Sequence, residues 1–581
     1  MTRPPARRLV ILLVVLLLGF GGIFVRLASL QIRDGSEYQN LAFEQRVRSI
    51  PLPARRGSIL DRTRQEFALS LDARDVYADP GLIRHPYSAA HRIAPILGLP
   101  DGELIKDFSE DTRFVYVARQ VDLDTVARLD RLGLPGIGFL NSSKRYYPNG
   151  SVASQVIGFV GVDQDPQTGA PVSNGLGGLE LEYDKQLAGR PGERVVEIDP
   201  SGHLIPQGVN QDQPPVEGDD LVTTIDSDIQ YQAQNALLDA VYRNHAAGGS
   251  VIVMDPHSGD VLAMASYPWF DPNNFQDYGE DSWRNRSVTD VYELGSVNKV
   301  ITASGAVEEH VVPLDEQFYV PDSWKVSVKI FHDAERHHPK MMTLADIIAR
   351  SSNVGTIRIA ARLGMDRMAE YLAKFGLGQP TGIGFPGEEE GILPPEADWY
   401  GTSMGTIPVG QGVAVTPLQM ISVYATIANG GMWVPPNLVK GLIDPDGTFV
   451  PKRDNRPERQ VVSERTAKTI TRILAYAVDA GTGHRAQIPG YWVAGKTGTA
   501  QKPSPYGGYL PHKYVASFIG FLPASNPRVV IAAILDEPET EYGGVAAAPL
   551  FREVARYAIA RLRIPPAPKP EEPPHVLPFQ Y

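Results

Sequence analysis

The stretch Tyr292-Glu293-Leu294-Gly295-Ser296-Val297-Asn298-Lys299-Val300 sets a serine three residues before a lysine, at the predicted start of a helix that runs to about Glu309. Gly295 permits a tight entry turn. Residues at i and i+3 share one helical face, so the Ser296 hydroxyl and the Lys299 amine are placed to meet, near the positive end of the helix dipole. That geometry suits a nucleophile and its base. A Ser-x-x-Lys tetrad is common, and taken alone it reads better as a polar pair on a helix. Here it occurs once in 581 residues.

Two stretches downstream change that reading. Ser351-Ser352-Asn353 follows a helix predicted to begin near Thr343, where Thr343-Leu344-Ala345-Asp346 has the form of a capping box with Asp in place of Glu. Lys496-Thr497-Gly498-Thr499 ends a strand-like run from Trp492. Each is weak by itself. In the order Ser-x-x-Lys, Ser-x-Asn, Lys-Thr-Gly they form the signature of penicillin-binding proteins and serine β-lactamases. The chemistry is coherent. Ser296 must lose a proton to attack a carbonyl, and Lys299 can take it only when neutral, although a free lysine titrates near about 10.4. Burial and a second cation both favour the neutral amine, and Lys496 is the expected cation. Ser351 is placed to relay a proton to the leaving group. Asn353 is placed to hold both Lys299 and a substrate amide. Gly498, lacking a side chain, lets a peptide lie along the strand edge. The N–H groups of Ser296 and Thr499 are the candidate oxyanion hole, with Thr497 beside them. No metal or organic cofactor is needed.

Around this core the chain reads as an α+β protein. Hydrophobic residues make up 43% and charged residues 21%, which fits globular domains with ample core. The net charge of −12 argues against a nucleic-acid partner, and the absence of cysteine excludes thiol catalysis, disulfides and cysteine-ligated metal. Leu9 to Val25 is an uncharged apolar run preceded by Arg3, Arg7 and Arg8. It predicts a membrane anchor over residues 1–32 with its N-terminus in the cytoplasm. A cleaved signal peptide is the competing reading, but the run exceeds the usual signal core.

Gln31 to Ser49 reads as a helix leaving the membrane. Residues 33–208 read as a non-catalytic, extended mixed α/β pedestal. In it, Arg55-Arg56-Gly57-Ser58-Ile59-Leu60-Asp61-Arg62 predicts a turn into a strand held by charge pairing. Arg145 to Gly150 predicts a turn, and Asp124 to Leu132 a helix. Gly175-Leu176-Gly177-Gly178-Leu179-Glu180 lacks the ending of a phosphate loop and reads as a turn.

Residues 209–220, rich in Gln, Pro and Asp, read as a linker. A catalytic domain is expected over 221–563: a helix with Ile229, Ala233, Leu237 and Val241 on one face, a hairpin at 250–265, helices through the middle, and late strands at 515–521 and 529–535 before a closing helix near 550–561. Strands first, helices between and strands last predict a central antiparallel sheet flanked by helices and joining both ends of the domain. Residues 564–581 are a proline-rich tail expected to be disordered.

With these motifs the chain resembles the class B penicillin-binding proteins, membrane-anchored peptidoglycan DD-transpeptidases, over nearly its whole length. The resemblance includes Arg56 to Arg62, Gly177-Gly178-Leu179-Glu180, Asp255-Pro256 with Ser258-Gly259, Asn285-Arg286, Val409-Gly410-Gln411-Gly412 and Ser517 to Phe521. Lys374 to Gly382 and Ala547-Ala548-Pro549 with Phe551 are more similar to the division-specific branch than to the elongation branch. The resemblance implies cross-linking of peptidoglycan stem peptides through an acyl-enzyme on Ser296, and binding of β-lactams. It also implies a polytopic glycan-polymerising glycosyltransferase and other division proteins as partners. The sequence departs from the family at Leu294, where the family usually has Pro, and at Val297 and Asn298, where it usually has Thr and an apolar residue; a different pocket floor is expected there. A β-lactamase-like hydrolase and an inactive scaffold are the alternatives. The first needs a water-activating base that no further motif supplies, and the second has to explain why every motif residue is intact.

Overall fold

The computed structural model describes residues 6–33, 46–164, 171–197, 205, 210–452 and 458–570. Ala6–Ala28 is one apolar helix of 23 residues, exposed from Arg7 to Leu27. At 1.5 Å per residue it reaches about 35 Å, enough to cross the hydrocarbon of a bilayer. The helix predicted from Gln31 does not reach Ser49. A π-helical turn occupies Ser29–Arg33, residues 34–45 lie outside the described residues, and Val47–Leu52 is a strand antiparallel to Gly192–Glu197. Pro51 is compatible with that strand because it forms the edge of its three-stranded sheet. Asn210–Gln213 is the third strand, paired to Gly192–Glu197, so the 209–220 stretch is not a free linker.

The larger pedestal sheet is built on the long strand Glu66–Ala78, which pairs with Ile59–Leu60, Val115–Asp122 and Ile137–Tyr146. The turn expected from Arg145 begins two residues later, at Tyr147, because Arg145 and Tyr146 still pair with Ser70 and Leu69. The helix expected at Asp124 to Leu132 is Leu123–Asp130, capped by the Asp122 carboxylate. Asp220–Thr223 lies in this same sheet, parallel to Ile59–Leu60 and antiparallel to Val439–Ile443. Thus the strand read as the start of the catalytic domain bonds to the pedestal on one side and to a later part of the chain on the other.

Charge pairing does fix the Arg56 turn. Glu180 is fully buried and accepts from Arg56 Nε and Arg145 Nε at 2.7 Å each, while Arg56 Nη1 reaches Asp184 at 2.7 Å. The glycine stretch before Glu180 serves packing: a Cβ on Gly178 (φ 56°) would meet Val156 O at 2.6 Å.

The catalytic sheet has five antiparallel strands in the order Val261–Tyr267, Gly248–Met254, Val529–Asp536, Tyr509–Leu522 and Ala494–Pro503. Gly248–Met254 and 529–535 are buried at every position, which explains their continuous rather than alternating apolar runs. Helices Ser227–Arg243 and Gly543–Arg561 cover one face and Pro417–Ala428 packs on the other. The strands first and last along the chain, Gly248–Met254 and Val529–Asp536, are neighbours, so the sheet joins both ends of the domain. The tail is held at its root: Ile564 is buried, Trp492 N donates to Ala567 O at 2.8 Å and Lys569 pairs with Asp479. The expected disorder therefore does not begin at Pro565; residues 571–581 lie outside the described residues.

Candidate active site

The nucleophile sits on a 3-10 turn, Gly295–Asn298, which leads into the α-helix Lys299–Glu308. In a 3-10 turn side chains at i and i+3 eclipse, so Ser296 and Lys299 are stacked more directly than an α-helical start would stack them. Gly295 has φ 55° and its N–H donates to Gly410 O at 2.9 Å. A Cβ there would lie 2.5 Å from Thr499 O, so the glycine is needed both for the turn and for its contact with the edge strand. Ser296 is half-buried and Lys299 fully buried.

Lys299 does not direct its hydrogen bonds to Ser296. Its Nζ donates to Ser351 O at 2.6 Å and Asn353 Oδ1 at 2.7 Å, and lies 3.2 Å from Ser351 Oγ. Lys496 Nζ approaches the same Ser351 Oγ at 2.9 Å. Ser351 is able to bridge them because it holds a left-handed conformation, φ 59°, just past the helix Leu344–Ala349, whose capping box of Thr343 and Asp346 forms as expected. Ser352 then caps the next helix, Asn353–Leu363. The Ser-Ser-Asn segment is therefore a helix-to-helix corner whose tight geometry turns Ser351 and Asn353 towards the lysines.

Both amines are depleted of charge. Burial pushes Lys299 down to about 7, opposed by the nearby Asp333 carboxylate. Burial also pushes Lys496 well below its ordinary value, and the Lys299 charge pushes it further. Burial, rather than the Lys496 charge, is the first cause that lowers Lys299, and Asp333 opposes it.

Lys496 to Thr499 lie within the edge strand, not at its end; the strand continues to Pro503. Thr497 Oγ1 bonds Thr482 Oγ1 at 2.8 Å, and Thr499 Oγ1 accepts from Gly543 N at 3.3 Å. Gly498 has a reason the sequence did not supply: a Cβ there would strike Ser517 Oγ at 2.3 Å and Val297 Cγ1 at 3.0 Å. Its bare backbone lets the strand press against the nucleophile turn.

Residues 249–556 match the penicillin binding protein transpeptidase domain, and residues 51–223 match the penicillin-binding protein dimerisation domain. The chain is 36% identical to penicillin-binding protein PbpB of Mycolicibacterium smegmatis over 90% of its own length and 85% of that protein's. The chain belongs to the class B penicillin-binding proteins. It is a transpeptidase by its catalytic domain. It is also 33% identical to the peptidoglycan D,D-transpeptidase FtsI of Escherichia coli, over 88% and 84% of the two chains. Penicillin binding protein 3 of Mycobacterium tuberculosis, solved with aztreonam, superposes with a TM-score of 0.70 at 32% identity, over 89% of this chain and 98% of that one. Among the described residues one helix, near the N-terminus, is long and apolar enough to cross a membrane, which fits a single-pass membrane protein.

Within this penicillin-binding protein the departures Leu294, Val297 and Asn298 are all buried under the serine turn. Leu294 and Val297 belong to the main core, and Asn298 Nδ2 donates to Ile407 O at 2.7 Å. Tyr424 OH supports the turn from below by donating to Val297 O at 3.1 Å. Sequence reasoning missed Asp333 and His337 altogether. They lie in Phe331-His332-Asp333-Ala334-Glu335-Arg336-His337-His338, a polar stretch with no motif that marks it. Only folding brings it to the Ser-Ser-Asn corner.

Proposed function

We propose that this penicillin-binding protein is a peptidoglycan D,D-transpeptidase of septal wall synthesis, acting through an acyl-enzyme on Ser296. The observation that carries the residue roles is the convergence of the Lys496 amine and the Lys299 amine, the latter one turn after Ser296, on the one hydroxyl of Ser351. The donor stem peptide adds along the edge of the Lys496 strand, the last in its sheet. Neutral Lys299 takes the Ser296 proton as Oγ attacks the penultimate D-Ala carbonyl, while the N–H groups of Ser296 and Thr499 receive the oxyanion. The proton passes through Ser351 to the departing D-Ala nitrogen, and Asn353 holds Lys299 and the substrate amide. An amine of a second stem peptide then attacks the ester, restoring the Ser296 hydroxyl and forming the cross-link. Lys496, with Thr497 and Thr499, receives the terminal carboxylate. A β-lactam enters by the same attack and leaves a stable ester.

The septal assignment rests on the names of relatives, FtsI and stage V sporulation protein D. In this reading residues 1–32 anchor the protein with its N-terminus in the cytoplasm, on the evidence of Arg3, Arg7 and Arg8. Residues 33–208 form the pedestal, 209–220 the passage between domains, 221–563 the transpeptidase domain and 564–581 the tail. A polytopic glycosyltransferase and other division proteins are the partners. The test is labelling with a fluorescent penicillin followed by peptide mapping. Ser296→Ala abolishes the label without unfolding the protein; label persisting at the wild-type rate refutes Ser296 as nucleophile.

A further inference from the structure

The segment after the strand Lys329–His332 closes over the corner that carries Ser351 and Asn353. Asp333 Oδ1 accepts from Val354 N at 2.9 Å and Oδ2 from Ser352 Oγ at 2.8 Å, so its carboxylate sits on the N-terminus of the Asn353 helix. Asn353 Nδ2 donates to His332 O at 2.9 Å, which turns Oδ1 of the same amide towards Lys299. His337 lies behind the carboxylate. Its Nε2 is 2.8 Å from Asp333 Oδ2 and its Nδ1 is 2.7 Å from His338 O. Both ring nitrogens thus face acceptors, an arrangement complete only when both carry protons. The side chain is largely buried, at 12% exposure.

We propose that His337 is a positioning residue for acylation: its imidazolium holds Asp333 on the Asn353 helix and balances the carboxylate's charge, allowing Lys299 to remain neutral. An uncompensated carboxylate beside Lys299 favours the ammonium, which is useless as a base. A cation placed on the far side of that carboxylate offsets its field without itself approaching the amine. The remaining charged groups facing the imidazole are few. Lys340 disfavours its charge, and Asp322, which accepts from His337 N at 3.2 Å, is already paired with Arg336 at 2.6 Å. The hydrogen bond to His338 O and the bond to Asp333 raise the imidazole above its ordinary pKa, as the geometry requires.

This inference rests on Lys299 being the base. The experiment measures the second-order rate of acylation by a fluorescent penicillin against pH, for the full-length protein in detergent. In wild type the rate rises with pH as Lys299 loses its proton. His337→Gln leaves Asp333 uncompensated and shifts this acid limb upward by about half a unit to one unit, slowing acylation below the limb by about 3- to 10-fold. His337→Lys retains a cation and holds the limb nearer the wild-type position. Asp333→Asn removes the opposing charge and moves the limb down. Opposite shifts for the two residues are a signature that loss of a structural contact does not give, since that lowers the rate at every pH alike. Melting temperatures of the three variants check that each is folded. If the limb stays in place in His337→Gln, or moves the same way in His337→Gln and Asp333→Asn, the proposal is overturned. If the wild-type limb is itself absent, the base assignment of Lys299 fails instead, and the two failures are distinct.

Discussion

Replacing Lys299 by Arg, and varying the pH around the wild-type protein, tests the centre of the mechanism. Burial lowers Lys299 to about 7 against the pull of Asp333. Only the neutral amine accepts the Ser296 proton, so the rate follows the neutral fraction: about one-tenth at about pH 6, half at about pH 7 and nine-tenths at about pH 8. Acylation therefore accelerates about ninefold from about pH 6 to about pH 8 and then levels. Arginine keeps the charge but stays protonated throughout, and general-base help is worth about 10²- to 10⁴-fold, so Lys299→Arg slows acylation by at least that order and abolishes the rise. The guanidinium can still donate to Ser351 O and Asn353 Oδ1, so the corner remains supported and non-covalent binding weakens less than acylation. The assay is stopped-flow acylation by a fluorescent penicillin, with the free antibiotic's affinity taken from the concentration dependence. A flat wild-type profile over this range, or a near wild-type rate for Lys299→Arg, refutes Lys299 as the base and requires another group to deprotonate Ser296.

Other consequences are as direct. Gly498→Ala inserts a methyl where Ser517 Oγ and Val297 stand; it destabilises the protein by about 1–3 kcal/mol and lowers acylation by displacing the serine turn. Thermal unfolding and acylation measured together detect both effects, and Ser517→Gly in the same chain recovers part of each. Glu180→Gln leaves Arg56 and Arg145 without their shared buried carboxylate and costs about 3–5 kcal/mol, read by denaturant titration, with the acylation rate of the surviving folded fraction unchanged. Lys496 is depressed well below its unfolded value, so the folded state loses stability wherever the unfolded lysine is charged. That penalty is greatest below the folded pKa, diminishes as pH rises towards the unfolded value of about 10.4 and vanishes above it. Lys496→Met accordingly melts higher than wild type at neutral pH while acylating poorly, and the difference in melting temperature shrinks at alkaline pH; a lower melting temperature at neutral pH contradicts the assignment.

Local chemistry determined much of this protein from sequence alone. A 17-residue uncharged run behind arginines can be accommodated in few ways, and the structure makes it one long exposed helix. Thr343 and Asp346, three residues apart, form their capping box because that contact needs no help from the rest of the chain. Gly295 shows its positive φ, and the apolar face from Ile229 to Val241 is buried as its spacing requires. Ser296, Lys299, Ser351, Asn353 and Lys496 were identified as a set by their order.

Tertiary structure decided what depends on partners distant in the chain. Residues 47–49 and 210–213 became strands because Gly192–Glu197 offered both its edges, a choice that local propensity does not contain. Ser351, not Ser296, receives the two lysines because a left-handed corner and an edge strand 145 residues away arrive at one point. The lowering of Lys299 turns first on burial and is opposed by Asp333, and neither burial nor a neighbour across a fold is written in a motif. The motifs specify which atoms can react, because reactivity belongs to residue type and short spacing. Their protonation states belong to the solvent-excluded space around them, and that space exists only when the sheet, the helices and the 333–337 segment have closed.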